Sequence, residues 1–166
     1  MTQRLDYRAL SPEGIKGLFA GHAHMAATVP RPLLDILWVR ISQINGCAYC
    51  VDQHSREAKE HGASDRKLHH VAIWWESPLF DEKERAALAY AEAVTRLEHQ
   101  RVPDAVFEPL KGLFDDRMIV ELTIAIATMN AWNRLAIAMK KGALLNPLRK
   151  CACRQNSSRL RPCRPA

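Results

Sequence analysis

"LLDILWVRISQINGCAYCVDQHSREAKEHG", residues Leu33 to Gly62, contains two helical periods separated by one turn, and its reading decides both the fold and the chemistry. In the first half Leu33, Ile36, Leu37, Ile41 and Ile44 recur at a 3.6-residue spacing, and Asn45-Gly46 ends the run. The second half begins at Cys47, keeps its charges on the outward side and stops at Gly62. Cys47 and Cys50 are three apart, so at about 100° per residue they share one side of a helix, about 5–6 Å from each other at Cβ. His54 stacks on the same face one turn later. The positive end of a helix stabilises a thiolate, so a pair placed there is reactive and can close into a small disulfide ring. The imidazole gives Cys50 an acid–base partner.

On the residues alone, three readings stand side by side: two small apolar packing residues, part of a metal site, or a redox pair. A closed structural zinc site needs four ligands, and Cys47, Cys50 and His54 supply three. Asp52, at i+2 from Cys50, points away, which leaves only the distant C-terminal cysteines. Covalent haem attachment needs histidine directly after the second cysteine, where Val51 stands.

Outward from this stretch the pattern is helical. Ser11 caps a segment running to about Thr28, with Pro12 at the first helical position and Glu13 in the first turn. Ser64 begins a short helix to about Trp75. Asp81 and Glu84, in capping-box spacing, open an alanine-rich one suited to close packing. Pro103-Asp104 starts another that reaches about Phe114. The last segment, from Asp116 to Gly142, is apolar nearly all round between Met118 and Met139, which predicts a place at the centre or under a subunit interface. Glu121, Asn130, Asn133 and Arg134 interrupt it and must be paired if buried; the last three read as groups fixing helix or subunit register. No period-two run of β-branched residues occurs, so the expected fold is all-α, a bundle of about six to seven helices without a sheet. Trp74 and Trp75 read as packing residues, and His22, His24, His69 and His70 as surface ones.

With 166 residues, nearly half of them apolar, the chain has material for one core. Its opening residues are too polar for a signal peptide, and no stretch stays uncharged for the roughly 20 residues of a membrane span. A cytoplasmic protein without membrane contact is the expectation. The net charge of +6 arises in the C-terminal tail: from Arg149 onward there are six basic residues and no acidic one, so residues 1–148 balance at 18 basic and 18 acidic. A neutral body argues against nucleic acid, whose readers carry the basic patch on the folded surface. The tail also holds Cys151, Cys153 and Cys163 and cannot form a core. An arm for an acidic partner and a frame-shifted or vector-derived extension share this composition, so the helical domain is set at residues 1–146 and the tail at 147–166, expected to be disordered.

The stretch around the cysteines resembles the alkylhydroperoxidase-D-like (AhpD-like) branch of the carboxymuconolactone decarboxylase superfamily, whose pattern is an acidic residue, Ser-Gln-x-Asn-Gly, Cys-x-x-Cys, then histidine four on. The likeness continues through "ESPLFDEKERAALAYAEAVT" and "IVELTIAIATMNAWNRLAIA" and covers about residues 5–142. It implies an AhpD-like helical bundle and a homotrimer or homohexamer. It further implies an antioxidant peroxidase or disulfide reductase that works without metal or other cofactor, on a hydroperoxide and a lipoyl- or thioredoxin-like reductant. Cys50 resembles the thiol that attacks peroxide, Cys47 the more exposed resolving thiol, and His54 the relay histidine. Asp35 falls twelve residues before Cys47, where the family usually has glutamate, and being a methylene shorter it would lose reach in a relay. Glu57, three past His54, is a second candidate for orienting the imidazole. Tyr49 replaces a family histidine. The alternatives are a lactone decarboxylase of the carboxymuconolactone type, whose chemistry needs no paired thiols, and a zinc-stabilised, non-catalytic oligomeric module.

Overall fold

Asp6, Cys47, Ser64, Asp81 and Asp115 each stand just before a helix, and each accepts a hydrogen bond from a backbone N–H of its first turn. Those N–H groups have no intrahelical partner, so these caps fix where the helices begin. In the computed structural model, which describes residues 3–97 and 101–142, the helices are α1 (Tyr7–Leu10), α2 (Pro12–Thr28), α3 (Arg31–Ile44), α4 (Ala48–Glu60), α5 (Asp65–His70), α6 (Glu82–Arg96), α7 (Asp104–Leu113) and α8 (Asp116–Ala138), with a 3-10 segment at Val71–Glu76 after α5. No strand occurs among the described residues. The fold is the all-α bundle expected, with three local differences. A one-turn helix capped by Asp6 precedes α2, Ser11 offers no side-chain cap to α2, and the segment expected from Ser64 to Trp75 tightens into 3-10 geometry after His70. The tail at 147–166 lies outside the described residues.

The helix at the centre is α3 rather than α8. Residues Leu33 to Ser42 are buried on every side, and α3 packs against α4, α6 and α8. Its Leu34, Leu37, Trp38 and Ile41 join Met25, Leu88, Leu122, Ile126 and Met129 in the main core. By contrast α8 buries one face and leaves Val120 and Ile124 exposed at 57% and 42%. Its polar interruptions are paired: Glu121 with His24 Nε2 at 3.1 Å, Arg134 with Asn130 Oδ1 at 2.8 Å, and both asparagines with Asn45.

At the turn between α3 and α4 Gly46 has φ +68°, a conformation that side chains disfavour, and Gly62 at φ +96° ends α4. The hairpin therefore runs antiparallel, with the start of α4 against the end of α3.

A buried charge also fixes α3. Arg40 donates from Nη2 and Nε to Glu92 Oε1 at 2.7 and 2.8 Å and from Nη1 to the Ala72 carbonyl at 3.3 Å; Trp74 Nε1 donates to the same carboxylate at 2.7 Å. The two charged side chains are 9% and 16% exposed. Removing one partner of such a pair leaves an uncompensated charge. Glu92→Ala is expected to cost on the order of 3 kcal/mol in urea unfolding, with Glu92→Gln costing less; a loss below about 0.5 kcal/mol would show that Arg40 is solvated.

Candidate active site

Cys47 is the residue that caps α4, and its Sγ accepts the Cys50 backbone N–H at 3.3 Å. The two cysteines are joined as a disulfide, with Cα atoms 5.3 Å apart. Both are buried, Cys47 at 2% and Cys50 at 3% exposure. The resemblance implies a more exposed Cys47; here the two sulfurs are buried alike. Cys47 shares a small buried cluster with Cys50 and Ala136 of α8, against which Tyr49 packs, and its own N–H is bound to the Ser42 carbonyl. It is Cys50 that borders a cavity of about 50 Å³, partly open to solvent, with Tyr7, Arg8, Phe19, His22, Tyr49, Gln53, His54, Trp132 and Ala136.

His54 faces the same cavity, and its Nδ1 is 2.8 Å from Glu57 Oε2. A carboxylate only accepts, so Nδ1 donates, which leaves Nε2 as the basic nitrogen. Gln53 donates to the other oxygen of Glu57 at 2.8 Å. Burial alone would raise the Glu57 pKa. The hydrogen bonds from His54 and Gln53 and the nearby His54 and His22 charges outweigh it and pull the group down to about 2.

Asp35 is not brought to this group. Its carboxylate, 3% exposed, is bound by Arg31 Nε at 3.1 Å and His61 Nδ1 at 2.8 Å. In the antiparallel hairpin Asp35 lies opposite the far end of α4, while Trp38 lies opposite His54 with ring centroids 5.1 Å apart. The carboxylate that orients His54 is thus Glu57.

Reading the sequence missed His22, which is half-buried and not a surface residue. It stacks on Trp38 at 4.4 Å and lies 6.4 Å from His54, centroid to centroid. Burial, then the charge of His54, lowers its pKa; Glu57 opposes this and Arg31 adds to it. No local spacing could have signalled His22, Phe19, Tyr7, Arg8 or Trp132, because they reach the site from α1, α2 and α8. Gln53, one turn before Glu57, was within reach of the i, i+4 rule. Tyr49 packs against the cysteines with Lys141 Nζ 4.0 Å from its ring centroid. Among the described residues no group of three or more His, Cys, Asp or Glu is arranged to hold a metal ion, and no helix is long and apolar enough to cross a membrane.

An all-helical bundle with a disulfide at the start of one helix and an imidazole one turn on defines a class of protein. The carboxymuconolactone decarboxylase family model matches residues 15–93, from α2 to α6. The uncharacterized protein YdfG of Bacillus subtilis is 31% identical over 140 residues, 84% of this chain and 95% of its own length. A protein of unknown function from Agrobacterium tumefaciens, described as a candidate AhpD antioxidant defence protein, superposes with a TM-score of 0.82 at 35% identity, covering 86% of this chain and 98% of that one. The debrominase Bmp8 shares the fold at a TM-score of 0.75 and 23% identity, over 84% of this chain and 75% of its own. The chain belongs to the carboxymuconolactone decarboxylase family and is an AhpD-like member of it.

The folded state holds Glu57 below its ordinary 4.5, so its charged form stabilises the fold above that pH, and this contribution fades as the pH drops toward about 2. The thermal midpoint of the wild type is expected to fall more steeply across this window than that of Glu57→Gln; parallel curves would contradict the assignment.

Proposed function

We propose that the chain is a thiol-dependent antioxidant enzyme, a peroxidase and disulfide reductase that reduces hydroperoxides through Cys50 and Cys47. The observation that carries the reading is that Cys50 shares its cavity with an imidazole whose Nδ1 is engaged by a carboxylate. In the reduced protein His54 Nε2 takes the Cys50 thiol proton, a transfer worth roughly 10²–10⁴ in rate for a placed base. The thiolate attacks the terminal peroxide oxygen. An S–O bond forms, the O–O bond breaks, and the leaving alkoxide takes the proton from His54. Cys47 then attacks the sulfenic sulfur, water leaves with the Cys47 proton, and the disulfide closes.

A dithiol reopens it by exchange and is itself oxidised to a disulfide. The cavity favours attack at Cys50, with Cys47 as the leaving thiolate. The Cys50 N–H aimed at Cys47 Sγ and the positive helix end favour charge there, and a lower-pKa thiol leaves faster. On this division the helix end need not make Cys47 the peroxide nucleophile, because the base lines the cavity that Cys50 borders.

The expected setting is the cytoplasm, where thiols are kept reduced. The companion proposal is a homotrimer or homohexamer, supported by the apolar outer face of α8 at Val120 and Ile124. In turnover of cumene hydroperoxide or hydrogen peroxide with dihydrolipoamide or thioredoxin as donor, wild type is expected to be active, Cys50→Ser inactive, and His54→Gln slower by about 10²–10⁴. Equal rates for wild type and Cys50→Ser would remove the claim, and sedimentation as a monomer at every concentration would remove the assembly.

A further inference from the structure

The cavity at Cys50 is walled by aromatic rings and has no carboxylate in its lining. Glu57 lies behind His54, with its oxygens taken by His54 and Gln53. Asp6, the acid nearest in sequence to the rim, accepts the backbone N–H groups of Arg8 and Ala9 as the cap of α1. The polar residues of the lining are Arg8, His22, Gln53 and His54, besides the hydroxyl-bearing Tyr7 and Tyr49. Arg8 is exposed and lies over the Phe19 ring, 5.1 Å from its centroid, and among the described residues no carboxylate oxygen is within 4.0 Å of it. A second cation, Lys141, is occupied with the rings of Tyr49 and Tyr7 and sits 3.4 Å from the Tyr7 hydroxyl.

Size decides how a substrate can enter. A cavity that takes in benzene measures roughly 150 Å³, and one water needs about 10–15 Å³. At about 50 Å³ this space admits a reacting group such as a hydroperoxyl but not an aromatic ring. The body of the substrate must then rest on the rim, against Phe19 and Tyr7, within reach of Arg8. A guanidinium beside a ring presents paired N–H donors in a planar fork, the geometry that suits a carboxylate.

Resting on the peroxidase reading of this same site, we infer that Arg8 selects an organic hydroperoxide that carries a carboxylate beyond its apolar body. The reaction at Cys50 is unchanged. Arg8 supplies specificity through the part of the substrate that does not react, so its effect is expected mainly in KM.

Two measurements on the full chain test this. The first uses para-carboxycumene hydroperoxide and its methyl ester at saturating dithiothreitol, an uncharged reductant. Wild type is expected to favour the acid by about tenfold in kcat/KM, the worth of one charge-assisted contact; Arg8→Gln is expected to bring the ratio near one, and Arg8→Lys to keep part of it. A wild-type ratio near one, or a preference that survives Arg8→Gln, overturns the inference. So does an Arg8→Gln effect confined to the dithiol, seen with dihydrolipoate against dihydrolipoamide. The second measures binding of unreactive 4-isopropylbenzoate and its amide to the disulfide form by titration calorimetry. Tighter binding of the acid that is lost in Arg8→Gln upholds Arg8 even if no hydroperoxide is turned over, in which case the peroxidase reading falls alone. Equal binding of acid and amide overturns Arg8 whatever the turnover.

Discussion

One side-chain amide ties the reactive turn to the rest of the bundle. Asn45 Nδ2 donates to Asn130 Oδ1 and to Asn133 Oδ1, each at 2.9 Å, and so pins the loop between α3 and α4 to the flank of α8. Asn133 Nδ2 continues to Ser42 Oγ at 3.2 Å, and Asn130 Nδ2 to Thr95 Oγ1 at 3.1 Å, which brings α6 into the same network. A buried polar cluster holds its place when its members are satisfied, because slipping by one residue would leave donors stranded in a low-dielectric interior. The place of Cys47 and Cys50 beside α8, and hence of His54 along α4, depends on this anchor.

From that fixed turn the chemistry separates along a single helix. Cys47, which caps α4, receives a backbone N–H and sits at the positive end of the helix. One turn on, Cys50 meets the cavity, and a further turn brings His54 and then Glu57. The carboxylate therefore comes from the same helix as the imidazole it orients. A second buried acid, Asp35, is held with Arg31 and His61 at the opposite end of the hairpin, where it joins the two helices and takes no part in the thiol site.

The parts of this site that were legible in the sequence are the local ones. Spacing of three and four residues on one helix is enough to align Cys47, Cys50, His54 and Glu57, because helix geometry leaves little freedom. The cavity wall is a tertiary product: Arg8, Phe19, His22 and Trp132 come from three other helices, and nothing in their own neighbourhoods marks them. Placing Asp35 in the relay failed because sequence position alone does not say which turn of α4 it faces. On α3 Arg40, Asp35 and Ser42 are each buried with a partner, whereas α8, whose apolar run suits the centre of the bundle or a subunit interface, turns Val120 and Ile124 outward.

The claim on which the account stands is that Cys50, and not Cys47, meets the oxidant. Trapping of sulfenic acid with dimedone after one equivalent of hydroperoxide, followed by peptide mass spectrometry, reads this directly in the two single variants. The label is expected on Cys50 in Cys47→Ser and on neither position in Cys50→Ser. A label on Cys47 in Cys50→Ser would contradict it.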